Sequence, residues 1–134
     1  MKKNKGKIGH AIDGFSSAIR VRNVKQIMAY IDRGRNINTD CGVRVFDALL
    51  SLPPKKAEES INHVLSNPNW NPNYRSADMW HPEEHAMIHH REDVAIRIVQ
   101  HPNFDKRELP RVVRSARMFK ANKVLALLGE RVHD

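Results

Sequence analysis

A short phrase returns three times along this chain at a near-constant interval. Asn36-Ile37-Asn38, Asn69-Trp70-Asn71 and Asn103-Phe104-Asp105 each set one apolar residue between two small polar ones, with starts 33 and 34 residues apart. Upstream of each lies an apolar pair on a helical pattern: Tyr30-Ile31, Val64-Leu65 and Ile98-Val99, spaced 34 and 34, with Leu127-Leu128 following after 29. A recurrence of helix, polar turn and loop at about 33 residues marks a stacked repeat array, in which each unit buries its apolar face against its neighbours. Such arrays serve mostly as binding scaffolds, so the expectation tilts away from catalysis.

The first unit reads Gly14-Phe15-Ser16-Ser17-Ala18-Ile19-Arg20-Val21, then Asn23-Val24-Lys25-Gln26-Ile27-Met28-Ala29-Tyr30-Ile31, then Asp32-Arg33-Gly34-Arg35-Asn36-Ile37-Asn38. Apolar positions 15, 18 and 19 give a short helix, and 24, 27, 28, 30 and 31 give a second on i, i+3, i+4, i+7 spacing. Gly34 stands where a helix C-terminus takes a left-handed residue. On these residues the chain resembles the ankyrin repeat family, whose unit is two antiparallel helices followed by a loop. Ala18-Ile19 match the small-apolar pair of the inner helix and Asn23-Val24 the inter-helix turn. Ile27 with Tyr30-Ile31 match the outer helix, and Gly34-Arg35-Asn36-Ile37-Asn38 the closing turn. The resemblance runs over about residues 10–130, roughly four units. No unit carries the family's Thr-Pro-Leu-His word, and Asn67-Pro68 and His101-Pro102 replace the turn glycine; proline just past a helix end also stops the helix. The expected fold is all-α or nearly so, an ankyrin-like helical repeat solenoid of helix-turn-helix units joined by loops. It forms a single domain over 10–134, preceded by a basic flexible tail over 1–9.

The second unit begins near Val43, with Val43-Arg44-Val45-Phe46-Asp47-Ala48-Leu49-Leu50, and its outer helix opens at Pro53 or Pro54. Proline is tolerated in a first turn, where its missing N–H has no intrahelical role. His81-Pro82-Glu83-Glu84 opens the third unit, with carboxylates at the positive end of the helix dipole. For the fourth, Asp105-Lys106-Arg107-Glu108 as a capping box and Pro110 as a first helical residue are alternative starts, and the sequence leaves the choice open.

With 134 residues, 40% hydrophobic and 28% charged, the chain has apolar surface for one core, and no window approaches the ~18 uninterrupted apolar residues of a membrane span. Met1-Lys2-Lys3-Asn4-Lys5-Gly6-Lys7 has the charge of a signal-peptide start, yet Ile8-Gly9-His10-Ala11-Ile12-Asp13 supplies no apolar segment behind it. A lone Cys41 makes no internal disulfide and fits a reducing compartment. The expectation is a soluble, cytoplasmic protein, or one delivered into a host cell by a specialised secretion route. The net charge of +8 divides into +7 over residues 1–37, −4 over 38–105 and +5 over 106–134. Basic ends suit both the polar caps that an array needs and contact with nucleic acid.

His85 and His89, four residues apart, would share a helix face and offer two zinc ligands, with His81 or Glu84 as a third and His90 adjacent. The Glu that metalloprotease helices carry beside the first His is missing from His85-Ala86-Met87-Ile88-His89. These histidines are read as polar residues on the exposed side of an inner helix, and no metal or other cofactor is expected. Cys41 has no flanking nucleophile signature, and the sequence contains neither a phosphate-binding Gly loop nor a Gly-x-Ser-x-Gly elbow. Glu58-Glu59 and Glu83-Glu84 are accounted for by helix dipoles. No enzyme is expected.

Trp70, in register with Ile37 and Phe104, is expected in the core. Trp80 lies instead in the stretch from Asn73, where Tyr74, Arg75, Met79 and Trp80 gather the residue types of interface centres; covering the edge of the third inner helix is its other reading. The function this supports is a non-catalytic protein-protein interaction module. By its resemblance it is of the kind that bacteria or phages use to bind and modulate a target protein, as effector or inhibitor. A partner with an acidic surface would meet Tyr74, Arg75, Met79 and Trp80 centrally, Arg44 and Asp47 beside them, and Arg114 towards the C-terminal end. The alternative is nucleic-acid contact through the basic tail and the 107–123 stripe, carried by Arg111, Arg114, Arg117, Lys120 and Lys123.

Overall fold

The computed structural model describes residues 14–77 and 80–130. Among these the chain is all-helical, with eight α-helices and no strand. Four helix pairs follow one another: α1 (Gly14–Arg20) with α2 (Val24–Asp32), α3 (Asp40–Leu50) with α4 (Pro54–Leu65), α5 (Pro82–Ile88) with α6 (Glu92–Val99), and α7 (Leu109–Met118) with α8 (Asn122–Leu127). Turns of three residues join the members of each pair. The first helix of each pair packs on the first helix of the next, α1 on α3, α3 on α5 and α5 on α7, and α6 packs on α8. None of these helices is long and apolar enough to cross a membrane.

The second helices end at Asp32, Leu65, Val99 and Leu127, within a residue of the four apolar pairs that recur in the sequence. Helix α4 opens at Pro54. Helix α3 starts at Asp40, three residues before the expected Val43, because the Thr39 hydroxyl accepts the Gly42 N–H at 3.2 Å and closes the N-terminal turn. Gly42 is required there, since a Cβ would collide with the backbone of Ile37. Neither candidate start of the fourth pair is met as expected: no capping box forms, because the Asp105 N–H goes to Asn73 and the Glu108 carboxylate to Arg111, and Pro110 is not the first helical residue. Asp105 accepts the Arg107 N–H at 3.0 Å and opens a 3-10 turn, Lys106–Glu108, that runs directly into α7, whose second residue is Pro110.

Three of the inter-helix turns carry a residue other than glycine at positive φ: Arg22 at 57°, His90 at 60° and Lys120 at 58°. The following N–H in each case bonds back to a carbonyl five residues earlier: Asn23 to Ala18 at 2.9 Å, Arg91 to Ala86 at 2.8 Å and Ala121 to Ala116 at 2.8 Å. This is the left-handed closure of a helix C-terminus. All three alanines are fully buried, so each turn is anchored at a residue small enough to let neighbouring helices approach.

The recurring phrase has a double role. Its central residues, Ile37, Trp70 and Phe104, are all buried, and Trp70 sits against the rings of Phe46 and His101 at 6.1 and 5.6 Å. The backbone groups of its polar flanks are bonded by an asparagine of the preceding loop, which ties successive loops together. The Asn38 amide donates to the Asn69 carbonyl and accepts the Asn71 N–H at 2.6 Å. The Asn73 amide repeats the pattern one loop later, donating to the Asn103 carbonyl and accepting the Asp105 N–H, both at 2.8 Å. On the second helices, His63 meets Asp32 at 2.8 Å, Arg97 meets Glu58 at 3.4 Å and bonds Asn62, and the Glu92 carboxylate accepts the Lys123 N–H at the start of α8 at 2.7 Å.

Trp70→Ala should cost about 3–5 kcal/mol, as large core truncations do. Asn73→Ala, which removes two bonds worth about 0.5–1.5 kcal/mol each, should cost about 1–3 kcal/mol. Urea unfolding of the two variants checks both, and an Asn73→Ala midpoint equal to the parent's would show that the loop bridge contributes nothing.

Candidate interaction surface

Helix α5 lies between α3 and α7, and its polar side chains serve both neighbours. Towards α3, one Asp47 carboxylate oxygen faces His89 Nε2 at 2.6 Å and His85 Nδ1 at 3.7 Å. His85 and, at closer range, His89 hold the Asp47 carboxyl down to about 2, against the opposing effect of partial burial. Towards α7, Arg111 Nη1 lies 2.6 Å from Glu83 Oε2 and 3.4 Å from Glu84 Oε1, while its Nε donates to Glu108 at 2.7 Å. The Ser115 hydroxyl donates to the second Glu84 oxygen. Glu84 Oε1 also accepts the His81 N–H at 2.8 Å, so Glu84 caps its own helix while bracing the next pair.

Two adjacent carboxylates in this cluster are pushed in opposite directions. Burial drives the fully buried Glu83 carboxyl up, and Arg111 pulls against it. Burial also works upward on Glu84, but the hydrogen bonds from Ser115 and the His81 N–H, with the Arg111 charge, outweigh it and leave that carboxyl below its ordinary range. His81, Glu83 and Glu84 each bring a ligand-type atom to within 4.8 Å of the others. Arg111 already bonds both of those carboxylates, so the donor set is committed to a guanidinium.

The expected site residues therefore separate. His85 is buried and His89 half-buried, both turned to Asp47 and away from the exposed side of the helix where the sequence pattern put them. His90 is exposed in the α5–α6 turn. Asp47 joins α3 to α5, so only half of its side chain is exposed to meet a partner. The basic stripe divides as well. Residues three apart on a helix drift by about 60° per step, so a run of three turns through roughly a third of the circumference. Arg111 consequently points inward, Arg117 pairs with Glu130 at 3.1 Å, and Arg114, Lys120 and Lys123 are exposed.

In the loop before α5, Arg75 is exposed and Tyr74 half-buried. Half-buried Trp80 places its ring 5.7 Å from Phe119 at the end of α7, and its carbonyl accepts both the N–H and the hydroxyl of Ser76. Trp80 thus covers a helix edge as well as facing out. Met79 lies outside the described residues. Arg44 is exposed, with its guanidinium 3.5 Å from Cys41 Sγ. Of the loop-bridging amides, Asn38 is a polar flank of the recurring phrase, whereas Asn73 lies two residues past the second phrase, where the pattern carried no signal. Nothing local marked Glu83 and Arg111 as partners.

The titratable groups at the two faces of α5 bond to the helix pairs on either side and brace them against one another. Comparison of the chain with protein-family models, with curated proteins and with solved structures gives no match.

Arg111→Ala should destabilise by about 3–5 kcal/mol because it strands the buried Glu83 charge, whereas Glu83→Gln, which removes that charge, should cost less. Equal losses in urea unfolding would contradict this. Asp47 has a folded pKa of about 2 against an ordinary 3.8, so its contribution is present above about pH 4 and is lost as pH falls through about 2. Asp47→Asn should flatten that part of the stability profile, measured from unfolding midpoints at several pH values between neutral and strongly acidic.

Proposed function

We propose that this chain is a non-catalytic protein-binding module, an ankyrin-like array of four helix pairs whose partner presents an acidic surface. The observation that carries this reading is the placement of charge. Carboxylates are engaged within the fold: Asp32 with His63, Asp47 with His85 and His89, Glu58 with Arg91 and Arg97, Glu83 and Glu84 with Arg111, and Glu92 with the start of α8. Glu59 is exposed with no such partner, while Arg20, Lys25, Lys55, Lys56, Lys106, Arg114, Lys120 and Lys123 are exposed and stand in no ion pair. A chain of net charge +8 whose carboxylates are largely paired, while many of its cations are not, presents a positive exterior, which favours encounter with an acidic surface.

Exposed Arg44, Arg75 and Arg114, on α3, the loop before α5 and α7, are the residues that would grip the partner, with Tyr74 and Trp80 offering half-exposed rings. Binding and modulating a target protein, in the manner of bacterial or phage effectors and inhibitors, is the role that goes with this reading. Exposed Arg114, Lys120 and Lys123 favour a second one, contact with nucleic-acid phosphates, but two arginines of the supposed stripe, Arg111 and Arg117, are already paired.

Crosslinking in the native host, followed by mass spectrometry, identifies the partner. Arg44→Ala/Arg75→Ala/Arg114→Ala should then weaken its binding by about 2 kcal/mol or more, roughly thirtyfold, with the melting temperature nearly unchanged. Retained binding would remove these residues from the interface. Fluorescence anisotropy with DNA and RNA probes at two salt concentrations separates the two readings. Binding should stay in the non-specific range of ~10⁻⁴–10⁻⁶ M and fall steeply with salt. An affinity near ~10⁻⁸ M for one probe, with discrimination against the others, would establish nucleic acid as the ligand.

A further inference from the structure

The turns within the four helix pairs lie side by side along one edge of the stack. Arg22, in the first turn, donates to the Ser51 hydroxyl in the second at 2.8 Å. Arg91, in the third, reaches Glu58 in the opening part of α4 at 3.8 Å, and Glu92 just beyond it caps α8 beside the fourth. This edge collects exposed lysines: Lys25 in the first turn of α2, Lys55 and Lys56 in that of α4, Lys123 in that of α8, and Lys120 between α7 and α8.

Helix stability does not account for those positions. A helix N-terminus carries positive charge and favours Asp or Glu, yet α2, α4 and α8 have no acidic residue in their first turns. Of the four second helices, which begin at this edge, α6 alone follows the rule, and its Glu92 and Asp93 bond to α8 and to Arg91. Exposed apolar side chains stand among the lysines. Val21 (61% exposed), Met118 (60%) and Ile88 (39%) lie at the ends of α1, α7 and α5, on the same edge. No aromatic ring among the described residues of this edge is exposed to stack a base.

We propose that the turn edge docks an acidic, amphipathic helical segment of a partner protein, with carboxylates over the lysines and apolar side chains over Val21, Ile88 and Met118. The proposal rests on the binding-module reading and adds a surface separate from Arg44, Arg75 and Arg114. Four helices side by side at 8–10 Å span about 24–30 Å, the length of a helix of roughly 16–20 residues.

The test is fluorescence anisotropy with a labelled helical peptide of about 20 residues, Glu on one face and Leu on the other, beside a peptide with Lys on the polar face and a short duplex DNA. The acidic peptide should bind with Kd of about 10 µM or tighter and the Lys peptide far more weakly. Lys25→Glu/Lys55→Glu/Lys56→Glu should cut that affinity more than about tenfold while leaving the melting temperature level or raised, since carboxylates suit those first turns. Val21→Ser/Met118→Ser should also weaken it several-fold, and Lys106→Glu, on the loop edge, should change it less than about twofold. No binding of the acidic peptide at about 100 µM, or binding indifferent to the lysine variant, overturns the proposal. Loss of peptide binding in the Arg44/Arg75/Arg114 variant alone overturns the turn edge but leaves the binding-module reading standing. Duplex DNA bound more tightly than the acidic peptide overturns both.

Discussion

None of the helix pairs can cover its own apolar faces, and the burial of those faces against the next pair is the interaction on which the rest of the structure depends. Helices of six to twelve residues are too short to persist alone in water. They are held because Phe15, Ile27, Leu49, Ile61, Met87, Ile98 and Leu125, spread from the first pair to the last, are almost completely removed from solvent in one continuous cluster. Burial is not directional, however, and would tolerate one pair sliding along the next. Polar bridges fix the register: the Asn38 and Asn73 amides between loops, Asp47 with His89 between α3 and α5, and Glu83 with Arg111 between α5 and α7.

The bridges differ in what they contribute. An asparagine amide that satisfies a backbone donor and a backbone acceptor of the next loop removes two groups that would otherwise have to stay hydrated, at no cost in buried charge. The Glu83–Arg111 pair carries a desolvation cost that its attraction only offsets, so its effect lies in rejecting misaligned packings, where a buried carboxylate would face apolar side chains. Ser115, Glu84 and Glu108 complete the set around Arg111, which leaves one arginine joining two helix pairs.

This internal use of charge shapes the exterior. Asp32, Asp47, Glu58, Glu83, Glu84 and Glu92, with His63, His85 and His89, are drawn into contacts between pairs, and the described lysines are left outside, several of them in helix first turns where they oppose the dipole. Exposed groups that the fold does not use are the ones open to a partner, and here they are cations with a few apolar side chains among them.

The sequence by itself determined where the second helix of each pair ends. The 34-residue recurrence of apolar pairs placed the ends of α4 and α6 at Leu65 and Val99, and the phrase register placed Ile37, Trp70 and Phe104 in the core. Both follow from periodicity and from proline, glycine and cap preferences, which are local properties of the chain. Only the tertiary structure decided the partnerships of the polar groups. Asp47 with His89 and Glu83 with Arg111 join residues 42 and 28 positions apart, and nothing in either neighbourhood specifies the other. Arg111 looks like its neighbours Arg114 and Arg117 along the chain, yet it turns inward because α5 brings two carboxylates to its side of α7. A side chain's charge is fixed by its identity, but its direction and its solvent are set by which helix packs beside it.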